Sequence, residues 1–199
     1  MPSASPKIRK KVKQQIKQRS SRRGLYILGL VYAKINTSKG SIVVELYRNS
    51  AQKTVDNFVS LANQGFYNNL VWHRIKPGFV IQTGDPYTRN GLGDRTTWGQ
   101  GGSPQTVPLE IDSSLHNNAG YLGMARSSDP KSGSSQFYIN LANNNSLDGS
   151  YTVFGKVISG MDVAIALGNL PTTTQYSSEP QPAAPSSAML LGITISNTP

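Results

Sequence analysis

From Phe66 to Pro86 the chain reads FYNNLVWHRIKPGFVIQTGDP. Two short apolar runs, Val71 to Ile75 and Phe79 to Thr83, flank Pro77-Gly78. That dipeptide favours a type II turn, because proline fixes φ at the first corner and glycine accepts the positive φ of the second. A chain with this hairpin must build a sheet, and the sheet must carry one arginine, Arg74, among apolar neighbours. Successive strand residues face opposite ways, so His73 points away from Arg74 and reads as a structural histidine with satisfied ring nitrogens. An arginine alone on a strand is most often a surface residue; Arg74 gains meaning only from what surrounds it.

The rest of the chain keeps the β pattern. KINTSKGSIVVELY predicts two strands about a turn at Ser38-Lys39-Gly40, with Ile42, Val44 and Leu46 on one face. Asn49 and Ser50 offer an N-cap to a helix carrying Ala51, Val55, Phe58, Val59 and Ala62, and Gly65 is its natural stop. Later strands are expected at Gly120 to Ala125, Gln136 to Leu141, Val153 to Ile158 and Met189 to Ile195, with a short helix over Met161 to Leu167. The Gly-, Thr- and Pro-rich stretch from Asp85 to Val107 is long for a structureless loop, and such loops are often functional. Pro171 to Ser187 is low in complexity and reads as a surface loop.

Charge divides the chain. Nine of its 20 basic residues lie in the first 23 positions, and no acidic residue precedes Glu45. The remainder is close to neutral. Residues 1–23 read as a basic tail that cannot bury enough apolar surface to offset its ordering entropy. It is either an arm for RNA, the ribosome or an anionic membrane, or a solvated tail that aids solubility. Residues 24–32 form a short apolar connector leading into the first strand. The run before Lys34 has about ten residues, whereas a spanning helix needs about 20, although an origin as an anchor stays open. The main domain is expected over 33–197. There is no cysteine, which excludes disulfides, thiolate catalysis and cysteine-ligated metals.

Three separated segments, FYNNLVWHRIKPGFVIQTGDP, SSQFYI (134–139) and LDGSYTVFGKV (147–157), together resemble the cyclophilins, the peptidyl-prolyl cis/trans isomerases, over roughly residues 33–195. The resemblance implies a mainly β fold, a closed eight-stranded antiparallel barrel capped by two α-helices, with the substrate in an outer groove. It implies rotation about X-Pro bonds, without a cofactor or metal, in proline-containing peptides and in unfolded or partly folded proteins. Carried over residue by residue, it makes Arg74, Phe79 and Gln82 the catalytic group. Phe79, Val80, Tyr138 and Leu147 would line the proline pocket, bordered by Gln82 and Gln136. Ala125 and Arg126 would bind the extended substrate through the main chain. Gly91 and Gly93 match a loop beside the neighbouring pocket, and Tyr151 stands where many members carry histidine.

Three departures matter. Ser146 replaces the tryptophan of animal members that bind cyclosporin tightly, so weak cyclosporin binding is expected. Tyr138 stands in place of phenylalanine, and its hydroxyl needs a partner if buried. The segment between Ala125 and Gln136 is one residue longer than the animal pattern and looks like the prokaryotic branch, which implies a cytoplasmic single-domain enzyme; a monomer is expected. Membrane association through the basic N-terminal segment is the alternative. Ser134 and Ser135 lie in no nucleophile elbow, and the glycines between Gly91 and Gly102 fit no phosphate or dinucleotide loop. Two rival functions stay open: a catalytically quiet proline-binding module, and a nucleic-acid- or membrane-associated protein located by its tail.

Overall fold

The computed structural model describes residues 30–199; the tail at 1–23 and most of the 24–32 connector fall outside the described residues. Strands β1 (Val31–Thr37) and β2 (Gly40–Leu46) form an antiparallel hairpin in continuous register from Val31↔Leu46 to Thr37↔Gly40. Ile42, Val44 and Leu46 are buried on one face, as their alternation requires.

Helix α1 (Gln52–Asn63) follows and buries Val55, Phe58, Leu61 and Ala62. Its N-terminus corrects the expectation of a cap at Asn49 or Ser50. Ala51 occupies the cap position and supplies no side-chain bond. Ser50 and Ala51 instead donate their N–H groups to Tyr47 O, closing a turn. The Glu110 carboxylate, from a distant loop, accepts from Lys53 N at 3.0 Å and from Thr54 N and Thr54 Oγ1 at 2.8 Å each. A negative group at a helix start also suits the helix dipole. At the other end Gly65 takes φ +70°, the left-handed stop expected of it.

The strand expected from Val71 to Ile75 is interrupted. It divides into β3 (Leu70–Val71) and β4 (Arg74–Lys76), separated by the buried Trp72 and His73. Then come β5 (Val80–Thr83), β6 (Tyr121–Met124), β7 (Phe137–Asn140), β8 (Val153–Ser159) and helix α2 (Met161–Gly168). The segment expected to be plain loop after α2 contains a two-rung ladder, β9 (Thr172–Thr173) with β10 (Gln181–Pro182), before the final strand β11 (Met189–Ser196).

The main sheet is antiparallel throughout, in the order β3-β11-β1-β2-β8-β6-β7-β5-β4. Its two outermost members, β3 and β4, are consecutive pieces of one segment, joined through Trp72 and His73. The two sheet edges are therefore joined covalently through two residues, so the sheet must curl to bring them near each other. Counted as one interrupted strand, β3 and β4 reduce nine strands to the eight expected.

Inside lies an aromatic cluster. Phe58 from α1 meets Phe137 edge-on at 5.3 Å and Phe154 at 5.4 Å, and Trp72 meets Phe137 at 5.9 Å. All four are fully buried, each contributing on the order of 2 kcal/mol by leaving water. With its interior filled, the barrel leaves its outer face for chemistry.

Candidate active site

Register places the site. Across β4, β5, β7 and β6, Ile75 pairs with Ile81, Ile81 with Ile139, and Ile139 with Leu122. All four are fully buried. The residues one step away must face outward: Arg74 opposite Gln82, Gln82 opposite Tyr138, and Tyr138 opposite Gly123. Residues from four strands thus share one outer row.

Arg74 begins a chain of side-chain bonds. Its Nη1 donates to Gln82 Oε1 at 3.3 Å, and Gln82 Nε2 donates to Gln136 Oε1 at 2.9 Å. Gln136 Nε2 donates to the carbonyls of Gly99 at 2.9 Å and Gly101 at 2.6 Å. Main-chain carbonyls only accept, so they fix the orientation of Gln136, which fixes Gln82, which presents an acceptor to the guanidinium. On its other side Arg74 Nε donates to Glu179 Oε2 at 2.7 Å. The guanidinium carbon lies 5.6 Å from the centre of the Phe79 ring.

Phe79 leaves the turn expected at Pro77-Gly78: Gly78 has φ +69°, and Phe79 N donates to Lys76 O at 3.0 Å. Val80 faces the same way as Gln82 and is buried. The side-chain amide of Asn144 donates to Phe79 O at 2.9 Å and to Asn140 Oδ1 at 2.8 Å. It thereby straps the turn at Asn145–Leu147, which holds Leu147, to the Phe79 main chain.

Tyr138 is buried, and its hydroxyl finds the partner it needs, donating to Asn117 Oδ1 at 2.8 Å. Gly123 opposite makes room: a Cβ there would overlap the Tyr138 ring. Burial pushes the Tyr138 phenol far above its ordinary range, so it stays protonated. Asn117 is held by Asp148, whose carboxylate accepts from Asn117 N at 2.7 Å and Asn117 Nδ2 at 3.1 Å and contacts His116 Nδ1 at 2.8 Å. The Asn117 N–H, foremost among these, holds the Asp148 carboxyl below the usual carboxylate range. Tyr151 meets Tyr138 edge-on at 6.0 Å, and the Arg126 guanidinium lies 4.8 Å from the Tyr151 ring centre.

Beside this row lies a polar cleft of about 470 Å³, bounded by Gln82 and Gln136, by residues 99–103, and by Ala125, Arg126 and nearby serines. Ala125 N donates to Gln136 O at 2.9 Å, and Arg126 is the next residue. Its side chain folds back, Nε to Ser150 O at 2.8 Å and Nη1 to Ser127 O at 2.8 Å.

Of the residues singled out from the sequence, Arg74, Phe79, Gln82 and Gln136 come together directly, as do Tyr138, Tyr151 and Arg126. Ala125 and Arg126 share the cleft with the two glutamines, and Leu147 is strapped to Phe79. Gly91 lies elsewhere: with φ +68°, its Cβ position faces Pro185 at 3.0 Å, and it does not line the cleft. His73 is buried as expected but not satisfied: neither ring nitrogen reaches hydrogen-bond geometry with a described residue. Its burial lowers its pKa to about 4, against the opposing charge of Asp85. Sequence reasoning missed Gly123, Asn117, Asn144 and Glu179. Only Glu179 left a trace, as the sole acidic residue after Asp162.

The family model for cyclophilin-type peptidyl-prolyl cis-trans isomerases matches residues 32–185. The peptidyl-prolyl cis-trans isomerase-like 1 of Emericella nidulans is 45% identical over 141 residues, 70% of this chain and 83% of the relative. A peptidyl-prolyl cis-trans isomerase of Acinetobacter baylyi is 36% identical over 178 residues, 87% of this chain and 90% of the relative. A crystal structure of a cyclophilin-type isomerase from Cryptosporidium parvum superposes with a TM-score of 0.73 at 29% identity, covering 85% of this chain and 99% of the other. A second structure of it, determined in the presence of the dipeptide Ala-Pro, gives 0.72 at 30% identity, covering 83% and 98%.

Proposed function

The chain belongs to the cyclophilin-type peptidyl-prolyl cis-trans isomerases, and on that premise we propose that Arg74 accelerates X-Pro rotation by stabilising the twisted amide. The partial double bond sets a barrier of ~18–20 kcal/mol. Rotation breaks no bond and needs no nucleophile, only decoupling of the nitrogen lone pair from the carbonyl. That lone pair can accept a hydrogen bond only in the twisted form, so a donor aimed at it favours the transition state over either ground state. Guanidinium is always charged and presents a rigid fork of donors.

The observation that carries this reading is the Arg74–Gln82–Gln136 chain anchored on the Gly99 and Gly101 carbonyls, which holds the fork beside Phe79. One charge-assisted bond is worth ~1.5–3 kcal/mol, whereas a 10⁵-fold acceleration needs about 7. The rest falls to position and exclusion of water. Phe79, Val80, Tyr138 and Leu147 grip the proline ring with Tyr151 at the edge. The Arg126 main-chain N–H holds a substrate carbonyl, and Ala125 and Gln136 border the extended peptide. Gly91 acts through the shape of its loop. A relative's structure determined with Ala-Pro supports proline-containing peptides, and segments of unfolded or partly folded proteins, as substrates.

NMR exchange spectroscopy on a short X-Pro peptide tests this. The intact protein is expected to give rapid cis/trans exchange, and Arg74→Ala to reduce it by at least tenfold. Peptide binding without accelerated exchange would replace the reading with that of a proline-binding module. Cyclosporin added to the same sample is expected to leave exchange largely running, because Ser146 offers no indole. Full arrest by equimolar inhibitor would refute that part.

The finer placement follows the same reading. Identity favours the fungal relatives and coverage the bacterial one; we place the chain nearer the prokaryotic branch on the length of its segment between Ala125 and Gln136. The same branch placement carries our assignment to the cytoplasm, and we take the chain as a monomer. No helix among the described residues is long and apolar enough to cross a membrane.

A further inference from the structure

We infer that Glu179 is a positioning residue for Arg74, delivered to it by the 171–187 loop. The inference rests on the catalytic reading of Arg74 and adds what sets the direction of its fork.

Arg74 Nε is taken by Glu179 at 2.7 Å and Nη1 by Gln82 at 3.3 Å. Nη2 makes no hydrogen bond among the described residues. Two anchored nitrogens, with the covalent bond to Cδ as a third point, fix the plane of the group. Held on one side by a carboxylate and on the other by an amide, the guanidinium can turn only one remaining edge to a peptide. Without Glu179 a single 3.3 Å bond would remain to orient it, and the group could rotate about its last torsions.

An ion pair at a surface is usually incidental, because ordering two long side chains costs what the attraction gains. Here most of that ordering is done by other contacts. Pro180 O accepts from Ile75 N at 2.9 Å, so the residue before Pro180 is brought beside the residue before Ile75. Ser177 closes a small turn on Glu179: Glu179 N donates to Ser177 Oγ at 3.1 Å, and Ser177 Oγ donates to Glu179 O at 2.9 Å. The β9–β10 ladder shuts the base of the loop.

Arg95 then ties this loop to the glycine-rich one. It donates to Gln181 Oε1 at 3.1 Å and to Pro182 O at 2.5 Å, while its own carbonyl accepts from Gln181 Nε2 at 2.9 Å. Its guanidinium carbon lies 4.3 Å from the centre of the Tyr176 ring and 5.0 Å from that of Trp98. The glycine-rich loop supplies the Gly99 and Gly101 carbonyls that orient Gln136. Both arms that grip Arg74 are therefore fastened to each other. Arg74 and Glu179 side chains remain 22% and 49% exposed, so the effect on rate is modest, about fivefold rather than a hundredfold.

The test measures kcat and KM by NMR exchange on the full chain, together with the ¹H–¹⁵Nε signal of Arg74. Glu179→Ala is expected to lower kcat about fivefold, to leave KM within about twofold, and to broaden or lose the Nε–H signal. Glu179→Gln keeps an acceptor oxygen and is expected to recover most of the rate. In an Arg74→Ala background, Glu179→Ala is expected to have no effect. Unchanged kcat with an unchanged Nε–H signal would overturn the inference. So would a faster enzyme, or an equal loss in the Arg74→Ala background, which would mark a merely structural loop contact. If Arg74→Ala by itself cost nothing, the catalytic reading would fall first and this one with it.

Discussion

His73 and Arg74 are neighbours on one short segment and meet opposite environments. Arg74 reaches the surface among acceptors, whereas His73 turns inward, where burial lowers its pKa from 6.5 to about 4. The sign of the resulting pH dependence follows. Between pH 6.5 and 4 the unfolded chain binds a proton that the folded protein refuses. Stability from this group is therefore complete above about 6.5 and declines as pH falls toward 4, by on the order of 3 kcal/mol. Urea unfolding at pH 7 and pH 4.5 is expected to show that loss, and His73→Leu to remove most of it; an equally steep decline in the variant would assign the dependence elsewhere. Asp148 acts in a separate window, since a carboxyl held low loses its contribution only as pH falls below the ordinary carboxylate range. The placement of Arg74 and Gln82 as facing neighbours on one hairpin was legible from local spacing. Gly123 was not, because its meaning lies in the Tyr138 ring across the ladder.

Strands and both helices announced themselves by period. What period cannot express is which distant group satisfies an element's ends. The Asn49-Ser50 pair fitted an N-cap, yet the chain uses that stretch for a turn and caps α1 with Glu110 from another part of the fold. Removing that carboxylate leaves two main-chain donors and the buried Thr54 hydroxyl unmatched. Glu110→Ala is expected to cost about 1–2 kcal/mol in chemical denaturation, with kcat/KM unchanged. A denaturation midpoint equal to that of the parent would show that solvent replaces Glu110 without loss. The break between β3 and β4 escaped notice for a related reason: Val71 to Ile75 alternates well, but Trp72 bonds to Ala188 O while Ile75 bonds to Pro180 O, so the segment changes partner midway. The 171–187 loop has no apolar rhythm, and its ladder and its Glu179 contact depend on pairings the local sequence does not encode.

At the scale of the molecule, charge and fold divide the labour. The barrel carries a nearly balanced set of charges, while nine basic residues crowd the first 23 positions. If that segment directs the enzyme to RNA or anionic membranes, binding to either should weaken steeply as salt rises and vanish on deletion of residues 1–23. Equal binding by the shortened protein would dispose of the idea. The order of strands in the sheet also has a consequence in time. β1 is completed only by β11, so a chain made from its N-terminus forward carries an unpaired apolar edge until its last strand exists. Such edges invite pairing with other chains, and closing distant contacts is slow. Arg74 is synthesised early, yet Glu179 and the Pro180 carbonyl beside it come near the end. The grip on Arg74 is thus completed only after the 171–187 loop has been made.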